Sequence, residues 1–345
     1  METIAVALSG GIDSAFSAYL LKKEGYRVIG LHADFGLTPT PALLQVKKVA
    51  YFLSLPLEVL PLQEAFQQKV IDYFVSEYQS GRTPNPCVVC NRQIKFDLLF
   101  QKALQSGAEG LASGHYARIV PCPWGDGRTI ARGLDLQKDQ SYFLHRLEAE
   151  KLDRILFPLG TWTKEQVRSA AREIGLPVPP RGESQDICFL PKGGYREFLI
   201  QRIGPEAFRK GDMVDLEGRL LGTHQGLPAY TIGQRRGLGL PSSAPYYVIG
   251  IDPEKNQLRL GRKKDLEKPD CRVNGFHWIC RPDDLEGLAL SVQIRYRHNP
   301  VRARIMGRNK AMISIQFLEA QKAVTPGQAA VLYVGDQVLG GGWIV

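Results

Sequence analysis

Two periods of apolar and polar positions run along this chain, and the change from one to the other falls near Gly204. Ile4-Ala5-Val6-Ala7-Leu8 is an unbroken apolar run that predicts a buried strand, and Ala15 to Lys23 follows with helical spacing, stopped by Gly25. Arg27 to His32 predicts a second strand, which closes a βαβ unit. Thr40 suits an N-cap and Pro41 a first turn, so a helix is expected from there to about Leu53. A strand over Leu57–Leu60 and a helix over Gln63–Tyr78 come next. Gly81 to Pro86 breaks the pattern, and a helix is expected to resume from Arg92 to about Ser106, with Ile94, Leu98, Leu99 and Ala103 toward the core. Gly110–Ser113 predicts a strand, and Thr163-Lys164-Glu165-Gln166 is a capping box that opens a helix ending near Gly175. Alternating strands and helices predict an α/β doubly wound parallel sheet, whose ligands lie beyond the carboxyl ends of the strands. Ser9–Ser14, His32–Ala33 and Gly114–His115 all fall at such ends. Beyond Gly204 short β-like runs are separated by Gly, Pro and Asn, with a break near Lys268–Asp270. Three domains are expected: 1–203, then two smaller β-rich domains over 204–269 and 270–345.

At 345 residues the chain exceeds a single compact core, and 44% hydrophobic with 23% charged residues is ordinary for a folded protein. No apolar run approaches the ~20 residues of a membrane span, and the N-terminus lacks a signal peptide's basic start and apolar core. A cytoplasmic protein with no membrane partner is expected. Its six cysteines should then be thiols, with Cys122, Cys271 and Cys280 as ordinary ones. The excess of 44 Lys+Arg over 35 Asp+Glu, +9 in all, favours a polyanionic partner such as nucleic acid.

The chemistry begins at Ala7-Leu8-Ser9-Gly10-Gly11-Ile12-Asp13-Ser14. Two glycines at a strand–helix junction let backbone N–H groups approach an anion, and the helix N-terminus adds free donors and a positive dipole end. The plainer alternative is a glycine-rich turn capped by Asp13 and Ser14. Neither the Walker spacing nor Gly-x-Gly-x-x-Gly occurs in this turn. The loop instead resembles the PP-loop of ATP pyrophosphatases.

Cys87-x-x-Cys90 is expected in a loop just ahead of a helix, where the dipole and Arg82, Arg92 and Lys95 would favour thiolate. Bystander thiols, half a zinc site and a reactive pair are the three readings; zinc is the weakest, because Cys271 and Cys280 do not form a second close pair. Cys188 follows Gln185-Asp186 in a polar stretch after prolines. Between Ser291 and Lys310 there are six Lys+Arg and no Asp or Glu, and two alternating runs flank His298-Asn299-Pro300. That pattern predicts a hairpin with Arg295, Arg297, Arg302 and Arg304 on one face, set for phosphates or simply solvated.

These motifs, with Ser113-Gly114-His115-Tyr116, Lys138-Asp139-Gln140-Ser141-Tyr142-Phe143, Glu183 to Phe189, Tyr230 to Gly239 and Val324 to Gln328, resemble in order the tRNA-specific 2-thiouridylases. The resemblance implies a PP-loop catalytic domain followed by two β-rich domains, the last a tRNA-binding β-barrel. It implies ATP with Mg²⁺ at Ala7 to Ser14, Ala33 and Gly114, and adenylation of the C2 oxygen of the wobble uridine in the anticodon arm. Cys188 corresponds to the persulfide carrier and Cys90 to its partner, which releases sulfide or leaves a Cys90–Cys188 disulfide. The sulfur comes from a donor protein or from sulfide. Asn85, Pro86, Cys87 and His115 fall on the base side; Lys138, Asp139, Gln140, Arg295, Tyr296 and Gln328 on the wider tRNA contact. Two departures stand out: residues 32–39 are short where many members carry an insertion, and Cys87 replaces a common Asp. A third thiolate raises a [4Fe–4S] cluster on Cys87, Cys90 and Cys188 as a variant expectation. The rival within enzymes is a PP-loop adenylating enzyme with another acceptor.

Overall fold

The computed structural model describes every residue except 38–39, 179–186, 192, 286 and 309–311, and leaves out the side chains of 40, 41 and 308. The expected Thr40 cap and the Glu183–Asp186 part of the cysteine motif therefore lie outside the described residues.

Strand β1 (Thr3–Ala7) runs through the middle of a five-stranded sheet, because Ile4, Ala5 and Val6 are wholly buried and pack on both faces. Its partners are β2 (Arg27–Asp34), β3 (Leu57–Pro61), β4 (Gly110–Ala112) and β7 (Ile155–Leu156), in the order β3-β2-β1-β4-β7 with every pairing parallel. Helices α1 (Ile12–Lys23), α2 (Thr40–Phe52), α3 (Gln63–Phe66) and α4 (Asp72–Gln79) connect these strands, the last two through a π-helical turn at Gln67–Ile71. This is the doubly wound sheet expected.

The cysteine pair departs from expectation. Cys87 and Cys90 belong to a helix, α5 (Pro86–Cys90), which runs on through a π-helical stretch at Asn91–Leu99 into α6 (Phe100–Gln105). Pro86 occupies the first helical position, where its missing N–H leaves no bond unmade. The proline that seemed to end the loop starts the helix.

Farther along, α7 (Lys164–Glu173) carries the capping box in full: the Thr163 side chain accepts from Gln166 N–H, and Gln166 returns a bond to Thr163 N–H. Helix α8 (Gly194–Ile203) leads into a sheet ordered β10-β11-β8-β9, formed by β8 (Gly211–Val214), β9 (Leu220–His224), β10 (Tyr247–Asp252) and β11 (Gln257–Gly261). The remaining strands are β12 (Glu267–Trp278), β13 (Leu290–Gln293), β14 (Val301–Arg308), β15 (Met312–Lys322), β16 (Ala329–Val334) and β17 (Gln337–Ile344). They run β12-β15-β14-β13-β16-β17, and β12 also pairs with β17, which closes a six-stranded barrel.

A hairpin of β5 (Ala117–Pro121) and β6 (Arg128–Arg132), from the first half of the chain, joins this barrel at Gln337↔Ala131. One apolar core then runs from Ala5, Leu31 and Leu111 of the parallel sheet to Val331 and Tyr333 of the barrel. The hairpin brings Cys122 to Cys280, Cα atoms 5.9 Å apart, and the two are disulfide-bonded. That corrects the expectation of thiols at both positions: the sheet closes across 158 residues, a distance no local spacing reveals.

The basic hairpin forms, with Val292↔Val301 and Ser291↔Arg302 paired. Its arginines at 295, 297, 302 and 304 are exposed, while Val292, Ile294 and Ala303 are buried. The first strand stops at Gln293, so Arg295 and Arg297 sit in the connecting turn. Among the described residues no helix is long and apolar enough to cross a membrane.

Candidate active site

The Ser9–Ser14 loop is held by its own side chains. Ser9 N–H donates to Ser14 Oγ at 3.1 Å, and Ser14 Oγ donates to the Gly11 carbonyl at 3.1 Å. Gly10 has φ +81°, the left-handed region that favours glycine. The turn after β4 presses on the loop: a Cβ at Gly114 would stand 2.7 Å from the Asp13 carbonyl carbon and 2.8 Å from Ser14 N. Ala33, near the end of β2, is half-buried. Beside it His32 Nδ1 donates to the Leu8 carbonyl at 2.7 Å, which orders the loop from behind.

Asp13 has company that the spacing does not announce. Lys164 Nζ lies 2.7 Å from both Asp13 carboxylate oxygens, and Tyr116 Oη donates to Oδ1 at 2.8 Å. Lys164 is only 5% exposed, so this ion pair fixes the first turn of α7 against the first turn of α1. The capping box located Lys164 at a helix start; nothing in the sequence aimed it at Asp13.

The thiols meet on the other side of the sheet's end. Phe189, buried, wedges between Phe66, Phe74 and Phe198 at centroid distances of 5.8, 5.1 and 5.2 Å. It pins the adjacent Cys188 within electrostatic reach of Cys87 and Cys90. Burial pushes the Cys87 thiol up to about 11 and Cys90 up to about 12, with the Lys95 ammonium pulling the other way on each. Cys188 is raised by the protein around it, again opposed by Lys95. Its surface nevertheless faces solvent, so it is the thiol open to reagents, while Cys90 is buried. The expected thiolate bias from a helix N-terminus is corrected: desolvation outweighs the cation. Cys87, Cys90, Cys188 and Cys271 are free thiols. Among the described residues no three Cys, His, Asp or Glu side chains are grouped to hold a metal ion.

The residues expected on the base side are mostly buried and bonded to their neighbours. Asn85 and Pro86 are buried; the Asn85 side chain hydrogen-bonds to Tyr142, and its N–H donates to the Tyr73 hydroxyl. His115 Nδ1 shares a 2.7 Å bond with Ser113 Oγ, and burial holds its pKa well below the ordinary value, with Lys95 adding to the effect. Asp139 accepts from Gly133 N–H and from Ser141 N–H and Oγ, and Gln140 exchanges bonds with Tyr116. Both therefore organise their own loop, while Lys138 is half-buried beside them. Gln328 donates to the Thr83 and Pro84 carbonyls, which ties the barrel to the loop before α5. Tyr296 packs on Phe143 at 4.3 Å, and Arg295 reaches the Lys322 carbonyl.

A strand–turn–helix phosphate cradle on a parallel sheet, a cluster of three thiols in the same domain and a β-barrel packed alongside define a nucleotide-binding α/β protein equipped for sulfur chemistry. Comparison with known proteins narrows this class. Residues 2–192 match the tRNA methyl transferase HUP domain, 196–262 the corresponding PRC-barrel domain, and 268–344 the aminomethyltransferase beta-barrel domain. The tRNA-specific 2-thiouridylase MnmA of Carboxydothermus hydrogenoformans is 43% identical over 356 residues, covering 99% of this chain and 97% of the relative. That of Geobacter metallireducens is 45% identical over 361 residues, covering 99% and 96%. The chain belongs to the tRNA-specific 2-thiouridylase family. Among solved structures, a 4-thiouridine synthetase–RNA complex with bound ATP is similar at 18% identity and a TM-score of 0.38, over 58% of this chain and 50% of that one.

Proposed function

We infer that the protein is a tRNA-uridine 2-sulfurtransferase that uses ATP to thiolate the wobble uridine of the anticodon arm. The observation that carries this reading is an exposed cysteine, Cys188, within electrostatic reach of two further thiols, in a chain that also carries the Ser9–Ser14 cradle and is similar over its whole length to 2-thiouridylases. The cradle takes the triphosphate of Mg-ATP, and Gly114 keeps the opposite wall close. The uridine C2 oxygen attacks the α-phosphate and pyrophosphate leaves. A persulfide on Cys188 forms when its thiolate takes the outer sulfur from the persulfide of a donor protein, which leaves as a thiol; the Cys188 persulfide attacks C2 through its terminal sulfur, and AMP departs with the oxygen. Cys90 then attacks Cys188 Sγ: the S–S bond to the new thiocarbonyl sulfur breaks, a Cys90–Cys188 disulfide forms, and an external dithiol reduces it. A cation is needed where sulfur carries charge among raised thiols, and Lys95 supplies it. A tRNA substrate supports a cytoplasmic location for the reaction.

Nucleoside mass spectrometry on tRNA incubated with protein, Mg-ATP and a persulfide donor, wild type against Cys188→Ser, tests the reading. We expect 2-thiouridine that disappears in the variant. Thiolation that persists removes Cys188 from the mechanism, and AMP without a thiolated base means another acceptor.

A further inference from the structure

Where α5 and its continuation meet the segment that leads to the barrel, two arginines lie within electrostatic reach of each other with no acid paired to either. Arg92, two residues beyond Cys90, forms no hydrogen bond or ion pair among the described residues, yet it is close enough to bear on Arg146, His145 and His277. Arg146 donates from Nη1 to the Gly275 carbonyl at 2.8 Å and lies 5.5 Å from the centre of the Trp343 ring. Trp343 in turn sits 5.9 Å from Tyr73, whose hydroxyl accepts the Asn85 N–H. The neighbouring acids are spoken for: Glu77 pairs with Arg82 at 2.7 Å, and Glu148 with Lys151 at 2.9 Å. The two histidines add no charge. His145 Nδ1 donates to the Tyr142 carbonyl and His277 Nε2 to that of Leu147, and burial with the nearby arginines pushes His145 down to about 3 and lowers His277. Burial, reinforced by Arg92, also lowers Arg146 to about 10. Two guanidiniums are thus kept together against their repulsion, which an anion between them would relieve.

We propose that Arg92 and Arg146, backed by Trp343 and Tyr73, form a phosphate notch that takes one backbone phosphodiester of the RNA substrate beside the Asn85–Cys90 helix. This rests on the tRNA reading above and adds a site to it. Guanidiniums suit phosphate because their donors match two oxygens at once, and Trp343 holds the Arg146 plane in place. A phosphate there anchors the strand next to the residue whose base enters between Asn85 and Cys90. Asn91, between Cys90 and Arg92, donates from its side chain to the Phe143 carbonyl, so that helix is locked to the segment that bears Arg146.

The test measures binding of a short anticodon stem-loop RNA to the full-length protein across a salt series, for wild type, Arg92→Gln, Arg146→Gln and the double variant, with a melting curve for each. Loss of one phosphate contact is expected to lower the slope of log K against log salt by roughly 1, and to weaken binding about five- to tenfold near 0.1 M salt. Arg92→Gln breaks no bond within the protein, so it is expected to keep the wild-type melting temperature. An unchanged slope with Arg92→Gln overturns the notch. So does weaker binding of Arg146→Gln that tracks a lower melting temperature at constant slope, which marks Arg146 as a clamp on Gly275 alone. A wild type that binds no RNA overturns the functional reading itself.

Discussion

Gly114→Ala is the sharpest probe of how the nucleotide cradle is built. Gly114 needs no unusual backbone conformation, so the effect of a methyl group is steric alone. Its Cβ would stand 2.7 Å from Asp13 C, 2.8 Å from Ser14 N and 2.9 Å from Asp13 Cβ. Two of these are backbone atoms of the loop that cannot rotate away. Ordinary contact requires the loop and the β4 turn to part by about 0.7 Å. Overpacking of this kind costs about 1–3 kcal/mol. It also exceeds the ~0.5 Å within which a binding constellation must be held. ATP affinity is therefore expected to fall about 10- to 100-fold, equivalent to about 1.4–2.8 kcal/mol. Calorimetric titration with ATP reads this directly. Gly125→Ala, where a Cβ meets nothing within 4 Å, serves as the neutral comparison. An ATP affinity for Gly114→Ala within twofold of wild type refutes the close-approach argument.

Three further outcomes follow from the same geometry. Asp13→Asn leaves the buried Lys164 ammonium half-compensated and should cost about 2–3 kcal/mol, below the range for fully enclosed pairs because the Asp13 side chain is 32% exposed; adding Lys164→Met should recover part of the loss in urea denaturation, and additive losses would disprove the coupling. Reducing Cys122–Cys280, which spans 158 residues, should lower stability by about 2–4 kcal/mol, against a chain-entropy ceiling of about 5 kcal/mol; identical denaturation curves with and without reductant contradict a role as a staple. Because burial raises the Cys188 thiol above its ordinary value, its thiolate fraction at pH 7 is lower than that of free cysteine, and its alkylation rate should climb as pH rises past 9. Lys95→Met should move that curve to still higher pH, and a curve that stays in place removes Lys95 from the electrostatics of the site.

What could be read in the sequence was set by neighbours in the chain. β1, its Ser-Gly-Gly turn and α1 follow from an apolar run, two glycines and helical spacing within a short stretch, and the structure has them where they were expected. The Thr163–Gln166 box was equally legible, since both halves of its reciprocal bond lie within four residues. Cys87 and Cys90 show how local signals collide. Asn85-Pro86 reads as a break from one side and as a first helical turn from the other, and packing of Val88 and Val89 into the core decides for the helix. Once inside a helix against Phe66 and Phe189, the same thiols lose more to desolvation than they gain from Lys95, so the misplaced boundary also reversed their expected acidity.

The illegible part has a common cause. Lys164 reaches Asp13 across 151 residues, Cys122 reaches Cys280 across 158, and Gln328 reaches Thr83 across 245. The first exists because α7 packs on α1, the second because the β5–β6 hairpin leaves the parallel sheet to join the barrel, and the third because the barrel folds back onto the loop before α5. Closure of that kind is a property of sheets already assembled, and no spacing along the chain records it. It also explains why Asp139, Gln140 and Gln328, polar residues in motif-like stretches, spend their hydrogen bonds inside the protein. Gln328 fixes the seam between the α/β domain and the barrel, while Asp139 and Gln140 order the loop beside it. Beside that seam Cys188 and the arginines of the hairpin turn are exposed to solvent.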